Sequence, residues 1–166
     1  MPDKVLNVLF LCTHNSARSI LAEAVLNHIG GGRFKGFSAG SSPGPHQQPH
    51  PMGLAALRAA GIGTDGLRSK SWDAFAGAGA PAMELVITVC DNAAGEACPF
   101  WPGQPATAHW GYPDPSAVGG DEAQQREAFR LTLLALHRRL ELLVNLPPEA
   151  IGRLGLEGSA RRLAGA

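Results

Sequence analysis

Several things are scarce in this 166-residue chain, and each scarcity excludes something. An excess of one charge is missing: 14 basic residues balance 14 acidic ones. With nothing left over to neutralise a phosphate backbone, nucleic-acid binding is not expected. Long apolar runs are missing too. The stretch Val5–Leu11 is too short for a bilayer span or a signal peptide, and Asn7 interrupts it. No later stretch is long and apolar enough to span a bilayer either, so the expectation is a cytoplasmic protein with no membrane segment. Charged residues are only 17% against 45% hydrophobic, a balance that buries a core and does not leave a disordered chain. Cysteine occurs three times, at positions 12, 90 and 98. In a reducing compartment an odd, small number of thiols reads as reactive, not as a disulfide framework.

What the chain does contain is organised around Cys12-Thr13-His14-Asn15-Ser16-Ala17-Arg18-Ser19. An aliphatic run leads into it, and a helical run from Arg18 to Ile29 leaves it, apolar at 21, 25, 26 and 29 and closed by Gly30-Gly31-Gly32. A strand, a tight polar turn and a helix start therefore meet at one thiol. Backbone N–H groups in such a turn converge on an anion, with the positive end of the helix macrodipole behind them. That setting favours a thiolate. Arg18, with five residues between it and Cys12, can fork onto two oxyanion oxygens. The chemistry suggested is thiolate attack on phosphate or arsenate, with Thr13, His14, Asn15, Ser16, Ala17, Arg18 and Ser19 as the anion-binding turn. A cysteine at a strand end is more often a small buried hydrophobe; the flanking strand, helix and polar residues tip the balance here.

Further along, the pattern predicts strands at Phe34–Ser38, Leu85–Val89 and Thr107–Trp110, with a proline-rich turn segment from Ser41 to Pro51. It predicts helices over Met52–Ala60, briefly from Ser71, and over Glu122–Leu146, the last apolar at 129, 133, 136, 140 and 143. Strands separated by helices imply one doubly wound α/β domain with a four-stranded parallel sheet over residues 1–146. Residues 147–166 form a C-terminal tail, disordered or a short helix, with Arg161 and Arg162 on a solvated face. No repeat and no second domain is visible. In such a sheet, ligands bind beyond the carboxyl ends of the strands. Cys12, Cys90 and Asp114 each follow a strand and so gather on one edge. His46 and His50 lack the close partners a metal needs and read as solvated loop residues, so no metal site is expected. Cys90 and Cys98, with seven residues between them, are one loose pair where structural zinc wants two, and they fit a pair of exchanging thiols better.

Val8 to Ser19, Val-Leu-Phe-Leu-Cys-Thr-His-Asn-Ser-Ala-Arg-Ser, resembles the signature loop of the low-molecular-weight tyrosine phosphatases. Val-Cys-Asp-Asn-Ala at 89–93, Cys-Pro at 98–99, His-Trp-Gly at 109–111 and Asp-Pro at 114–115 resemble the thiol-dependent arsenate reductases of that fold. The resemblance covers about Val5 to Leu146. It implies that Cys12 takes arsenate, that Cys90 attacks to release arsenite, and that Cys98 completes a disulfide. It further implies that Arg18 holds the oxyanion and Asp114 is the acid. It implies no tightly bound cofactor, an external thiol donor (thioredoxin, glutaredoxin or glutathione), arsenate as substrate and a monomer. Three departures stand out: Ala17 where several members have a second loop cysteine, His14 where many have glycine, and a Cys90–Cys98 interval one residue longer than in the thioredoxin-coupled members. The alternative is a tyrosine phosphatase working through a Cys12 phosphoenzyme. Against it, Ser116-Ala117 follow Asp114-Pro115 where aromatic walls belong, and the chain has one tyrosine, Tyr112. A non-catalytic oxyanion sensor or redox switch would not need Cys12, Arg18 and Asp114 together.

Overall fold

Strand β1 (Leu6–Cys12) is apolar on both faces because it is buried on both. Leu6, Val8, Phe10 and Cys12 point into the main core, while Leu9 and Leu11 point into a smaller one. The computed structural model describes residues 5–76, 79–89, 106–146 and 153–164. The expected thiols Cys90 and Cys98 lie outside these described residues.

The remaining elements follow in order: α1 (Arg18–Ile29), β2 (Phe34–Gly40), α2 (Pro51–Ala59), a 3-10 turn (Trp72–Phe75) and β3 (Leu85–Thr88). Then come β4 (Ala106–His109), a second 3-10 turn (Pro115–Ala117), α3 (Glu122–Val144) and α4 (Arg153–Leu163). The four strands form one parallel sheet in the order β2-β1-β3-β4. The order reverses between β1 and β3, the crevice where sheets of this kind bind ligands. Cys12 ends β1 at that place.

The main core joins the even side of β1 to Leu21 and Val25 of α1, Leu57 of α2, Phe129, Leu136 and Leu140 of α3 and Ala160 of α4. Helix α3 buries Phe129, Leu133, Leu136, Leu140 and Leu143, the five positions its spacing marks, and starts in a capping box between Asp121 and Gln124. The opposite face of the sheet is closed by Phe75, Met83 and Val86 with Phe37 and Trp72 alongside. Among the described residues, no helix is long and apolar enough to cross a membrane.

Three sequence expectations need correcting. Strand β2 does not stop at Ser38 but runs through Ala39 to Gly40, because Gly40 stays in register opposite Cys12. His50 is not a solvated loop residue. Its Nδ1 accepts the Met52 N–H at 3.1 Å and caps α2, and its ring lies 4.6 Å from that of Phe129. Arg161 is exposed, but it is not merely solvated: it donates to the Thr107 carbonyl on β4 at 3.1 Å.

Candidate active site

Cys12 sits on the floor of the site, 4% exposed, as the last residue of β1. The chain then turns through residues 13–17 and enters α1 at Arg18, with no side-chain cap on the helix start. The uncapped N-terminus leaves first-turn N–H groups for an anion and directs the positive end of the macrodipole at it.

One residue holds the turn in shape. Asn15 is fully buried and has a φ of 54°, the left-handed region that asparagine tolerates better than most residues. Its Nδ2 donates to the Ser19 hydroxyl at 2.8 Å, bridging the turn to the first turn of α1. Its Oδ1 accepts the Lys70 N–H at 2.9 Å, and its carbonyl accepts the Ser69 hydroxyl at 2.5 Å. The strain sits at Asn15 and not at His14, so a side chain at position 14 is no obstacle. His14 is exposed, with its Nδ1 3.3 Å from the Ser42 carbonyl. Ser16 contributes its carbonyl, which accepts the His50 N–H at 2.9 Å and ties the turn to α2. Ala17 is buried in the main core.

Beside the turn runs a second layer that sequence reasoning missed. The Ser41 and Ser42 N–H groups donate to the carbonyls of Cys12 and Thr13, at 3.1 and 2.9 Å. The turn thereby lies directly over Gly40. A Cβ there would stand 2.6 Å from the Thr13 carbonyl oxygen and 3.1 Å from the Asn15 nitrogen, so only glycine fits. The Gly40 N–H in turn donates to the Lys70 carbonyl at 2.8 Å. Lys70 is itself tethered: its ammonium lies 3.7 Å from Glu23 Oε1 of α1, which also accepts the Ser38 hydroxyl at 2.5 Å. The two side chains are only 12% and 13% exposed.

Burial pushes the Glu23 carboxyl up and the Lys70 ammonium down from their usual values, against the attraction between them. The stability that the raised Glu23 contributes is fully present below about pH 4 and is lost as pH rises through its folded value. The stability from the lowered Lys70 is present above about pH 10 and is lost as pH falls through its folded value. Burial thus opposes the charged form of both groups, so the pair adds little to the fold and its use is positional. Replacing both, as Glu23→Gln with Lys70→Met, is therefore expected to leave the unfolding free energy at pH 7 within about 1 kcal/mol of the parent, or above it. Glu23→Gln alone strands a buried ammonium and is expected to cost about 3 kcal/mol. Denaturant melts of the two variants check this, and a double variant no more stable than Glu23→Gln alone would contradict it.

Opposite the turn stands the segment after β4. Arg18 is reached from it twice: its Nη1 donates to the Tyr112 carbonyl at 2.8 Å, and its Nη2 lies 3.7 Å from Asp114 Oδ2. The third guanidinium nitrogen, Nε, is buried with no hydrogen-bond partner among the described residues. A buried donor left over in an anion-binding turn points to an oxyanion. Asp114 also caps the second 3-10 turn, its Oδ1 accepting from the Ser116 N–H and hydroxyl at 2.9 and 2.7 Å. The turn-forming and the catalytic readings of Asp114-Pro115 are therefore compatible: one oxygen makes the turn, and the other faces Arg18. Burial pushes the Tyr112 hydroxyl up to about 12 against the pull of Arg139, so it adds no charge near neutrality. The structure thus brings Cys12, Asn15, Arg18, Ser19 and Asp114 to one edge of the sheet.

Residues 7–153 match the family described as low molecular weight phosphotyrosine protein phosphatase. A protein named arsenate reductase from Bacillus subtilis is 31% identical over 141 residues, which span 85% of this chain and 95% of that one. A structure described as an arsenate reductase in the phosphate binding state superposes with a TM-score of 0.64 at 26% identity, covering 84% of this chain and 97% of that one. A thioredoxin-dependent arsenate reductase from Corynebacterium glutamicum superposes with a TM-score of 0.54 at 26% identity, covering 86% of this chain and 65% of that one. With its oxyanion turn, its parallel sheet and these relatives, the chain belongs to the low molecular weight phosphotyrosine protein phosphatase family, among relatives that are arsenate reductases.

Proposed function

We propose that the protein reduces arsenate to arsenite through a relay of its three cysteines, in arsenic detoxification in the cytoplasm. The observation that carries the oxyanion half of this reading is the Arg18 guanidinium, held on one side by Tyr112 and Asp114, with a buried Nε on the other that has no partner among the described residues. The reductive half draws on the names of the relatives and on the presence of Cys90 and Cys98 in the sequence.

The Cys12 thiolate attacks arsenic(V), and an arsenate oxygen leaves as water, protonated by Asp114. The Cys90 thiolate then attacks the Cys12 sulfur. The electron pair of the sulfur–arsenic bond goes to arsenic, which departs as arsenite, arsenic(III), and a Cys12–Cys90 disulfide remains. Cys98 attacks Cys90, freeing the Cys12 thiolate and leaving a Cys90–Cys98 disulfide. An external dithiol supplies the two electrons that restore the resting enzyme. Thioredoxin is the donor favoured by the Corynebacterium relative, ahead of glutaredoxin with glutathione. The acting unit is a monomer.

A second reading, phosphoester hydrolysis through a Cys12 phosphoenzyme, has the Arg18–Asp114 geometry in its favour, because the same acid could protonate a leaving alcohol. The assay that separates them supplies arsenate or an aryl phosphate, with thioredoxin and glutaredoxin in separate arms. The relay predicts thioredoxin-supported arsenite production that falls at least about 100-fold in Cys90→Ser while aryl phosphate turnover stays slow. Arsenite formation indifferent to Cys90 and Cys98, or fast aryl phosphate hydrolysis with no arsenite, would overturn it.

A further inference from the structure

Helix α4 lies almost wholly past the family-matched span, which ends at residue 153. It packs on β4, a four-residue strand at the edge of the sheet whose exposed positions alternate with Ala106 and Ala108 in the core. Ser159 and Ala160 of the helix are buried there. Trp110, the residue after β4, is fully buried, and its indole N–H donates to the Ala160 carbonyl at 2.8 Å. Arg161 adds its bond to the Thr107 carbonyl, three residues before Trp110. On α3, the Arg139 guanidinium lies 5.5 Å from the Trp110 ring and 4.9 Å from the Tyr112 ring, joining the two aromatics. Two residues beyond Trp110, the Tyr112 N–H donates to the Val89 carbonyl at 3.2 Å, and the Tyr112 carbonyl holds Arg18. Two residues further stands Asp114.

We propose that α4 is a positioning element for the oxyanion site: by locking Trp110 it fixes the Tyr112 carbonyl, and that carbonyl fixes the Arg18 fork. Trp110 and Ala160 are the positioning residues, and neither touches substrate. The inference rests on the reading of Arg18 as the oxyanion holder. The physical reason is leverage. Two bonds to the β3 side, from the Trp110 N–H to the Thr88 carbonyl at 2.7 Å and from the Tyr112 N–H to the Val89 carbonyl at 3.2 Å, hold this segment along one side only. Helix α4 holds Trp110 from the other, and a loop misplaced by even an ångström loses alignment at the reacting atoms. The Cys12 turn, by contrast, is held from the other side by Ser69, Lys70 and Gly40. Loosening α4 should therefore weaken anion binding without disturbing the thiol.

The test uses the full chain with Ala160→Arg, which forces a long charged side chain into a fully buried position of α4, and Trp110→Phe, which keeps a ring and removes its N–H. Alkylation of Cys12 by iodoacetamide is followed on its own peptide, and inorganic phosphate is titrated in as protector. The half-protecting phosphate concentration should rise about tenfold in Ala160→Arg and about threefold in Trp110→Phe, with the alkylation rate in the absence of phosphate within about twofold of the parent. A lowered melting temperature with unchanged half-protection in either variant would mean that α4 is only structural, and would overturn the proposal. Should Ala160→Arg not fold, Trp110→Phe decides by the same readout. Absence of phosphate protection in the parent would also overturn it. Phosphate protection that shifts as expected in a protein making no arsenite would sustain the positioning role and remove the reductase reading instead.

Discussion

Arg18→Lys lowers kcat/KM for arsenate by about 100- to 1,000-fold and leaves the melting temperature nearly unchanged. The positive charge survives the substitution, so a site that needed only charge would notice little. What is lost is the planar fork. In the parent, Nη1 is committed to the Tyr112 carbonyl and Nη2 faces Asp114, which orients the guanidinium so that Nε is presented to the turn. An ammonium on a flexible stem cannot hold the Tyr112 carbonyl and two oxyanion oxygens at once. Each charge-assisted hydrogen bond removed costs about 1.5–3 kcal/mol; with the positive charge retained, the loss of two lies near the lower end of their sum, about 3–4 kcal/mol, which is the range stated. The fold changes little, because the lysine stem still fills the space and the lost bond to the Tyr112 carbonyl is offset by removing a buried Nε that has no partner among the described residues. Steady-state kinetics with the thiol donor in excess check the figure. A lysine variant within about threefold of the parent would mean that the fork is not what holds the substrate.

Gly40→Ala removes activity by about 100-fold or more through a single methyl group that never meets the substrate. Its Cβ would lie 2.6 Å from the Thr13 carbonyl oxygen and 3.0 Å from the His14 carbonyl carbon. Those neighbours are backbone atoms of the oxyanion turn, with no flexible side-chain end to swing aside. Either the turn lifts from β2 or the Cys12–Gly40 register breaks. Overpacking of this kind costs about 1–3 kcal/mol of stability, and displacement of the turn by a fraction of an ångström accounts for the catalytic loss. Gly53→Ala is the matched control. In α2, a Cβ at Gly53 would meet the Phe129 ring at an ordinary 3.6 Å, and removing a helical glycine stabilises by about 1 kcal/mol. Equal activities for the two alanine variants, measured at a temperature where both are folded, would show that the turn does not depend on its packing against β2.

How much of this could be read from the residues alone divides along a physical line. The β1–turn–α1 unit was legible because its signals are local: an aliphatic run, a polar turn and a helical period, all within about 25 positions. Helix α3 was legible for the same reason, its five buried positions falling at the spacing of one helix face. Gly40, Ser69 and Lys70 were not, because they act through backbone contacts. No pattern of side-chain types in the proline-rich region marks which glycine lies under the turn, or which N–H meets Asn15. Reading β2 as ending at Ser38 hid Gly40 for that reason, although the run of small residues Ser38-Ala39-Gly40 is a signal in hindsight. His14 drew notice as a departure from glycine, whereas the left-handed residue is its neighbour Asn15. Helix α4 was obscured by Gly155 and Gly158, which weaken helix propensity. Its partner Trp110 is 50 residues away in sequence, so nothing local announces the bond between them.

The claim at the centre is that one turnover spends the protein's own thiols. The most direct measurement mixes fully reduced protein with excess arsenate and no external reductant, quantifies arsenite, and maps disulfides by digestion. The relay predicts a stoichiometric burst of arsenite and then arrest, with Cys90 linked to Cys98. It predicts the same burst from Cys98→Ser, with Cys12 linked to Cys90 instead, and none from Cys90→Ser. Arsenite released by Cys90→Ser, or a parent protein that makes none while its Cys12 still binds the oxyanion, would contradict it.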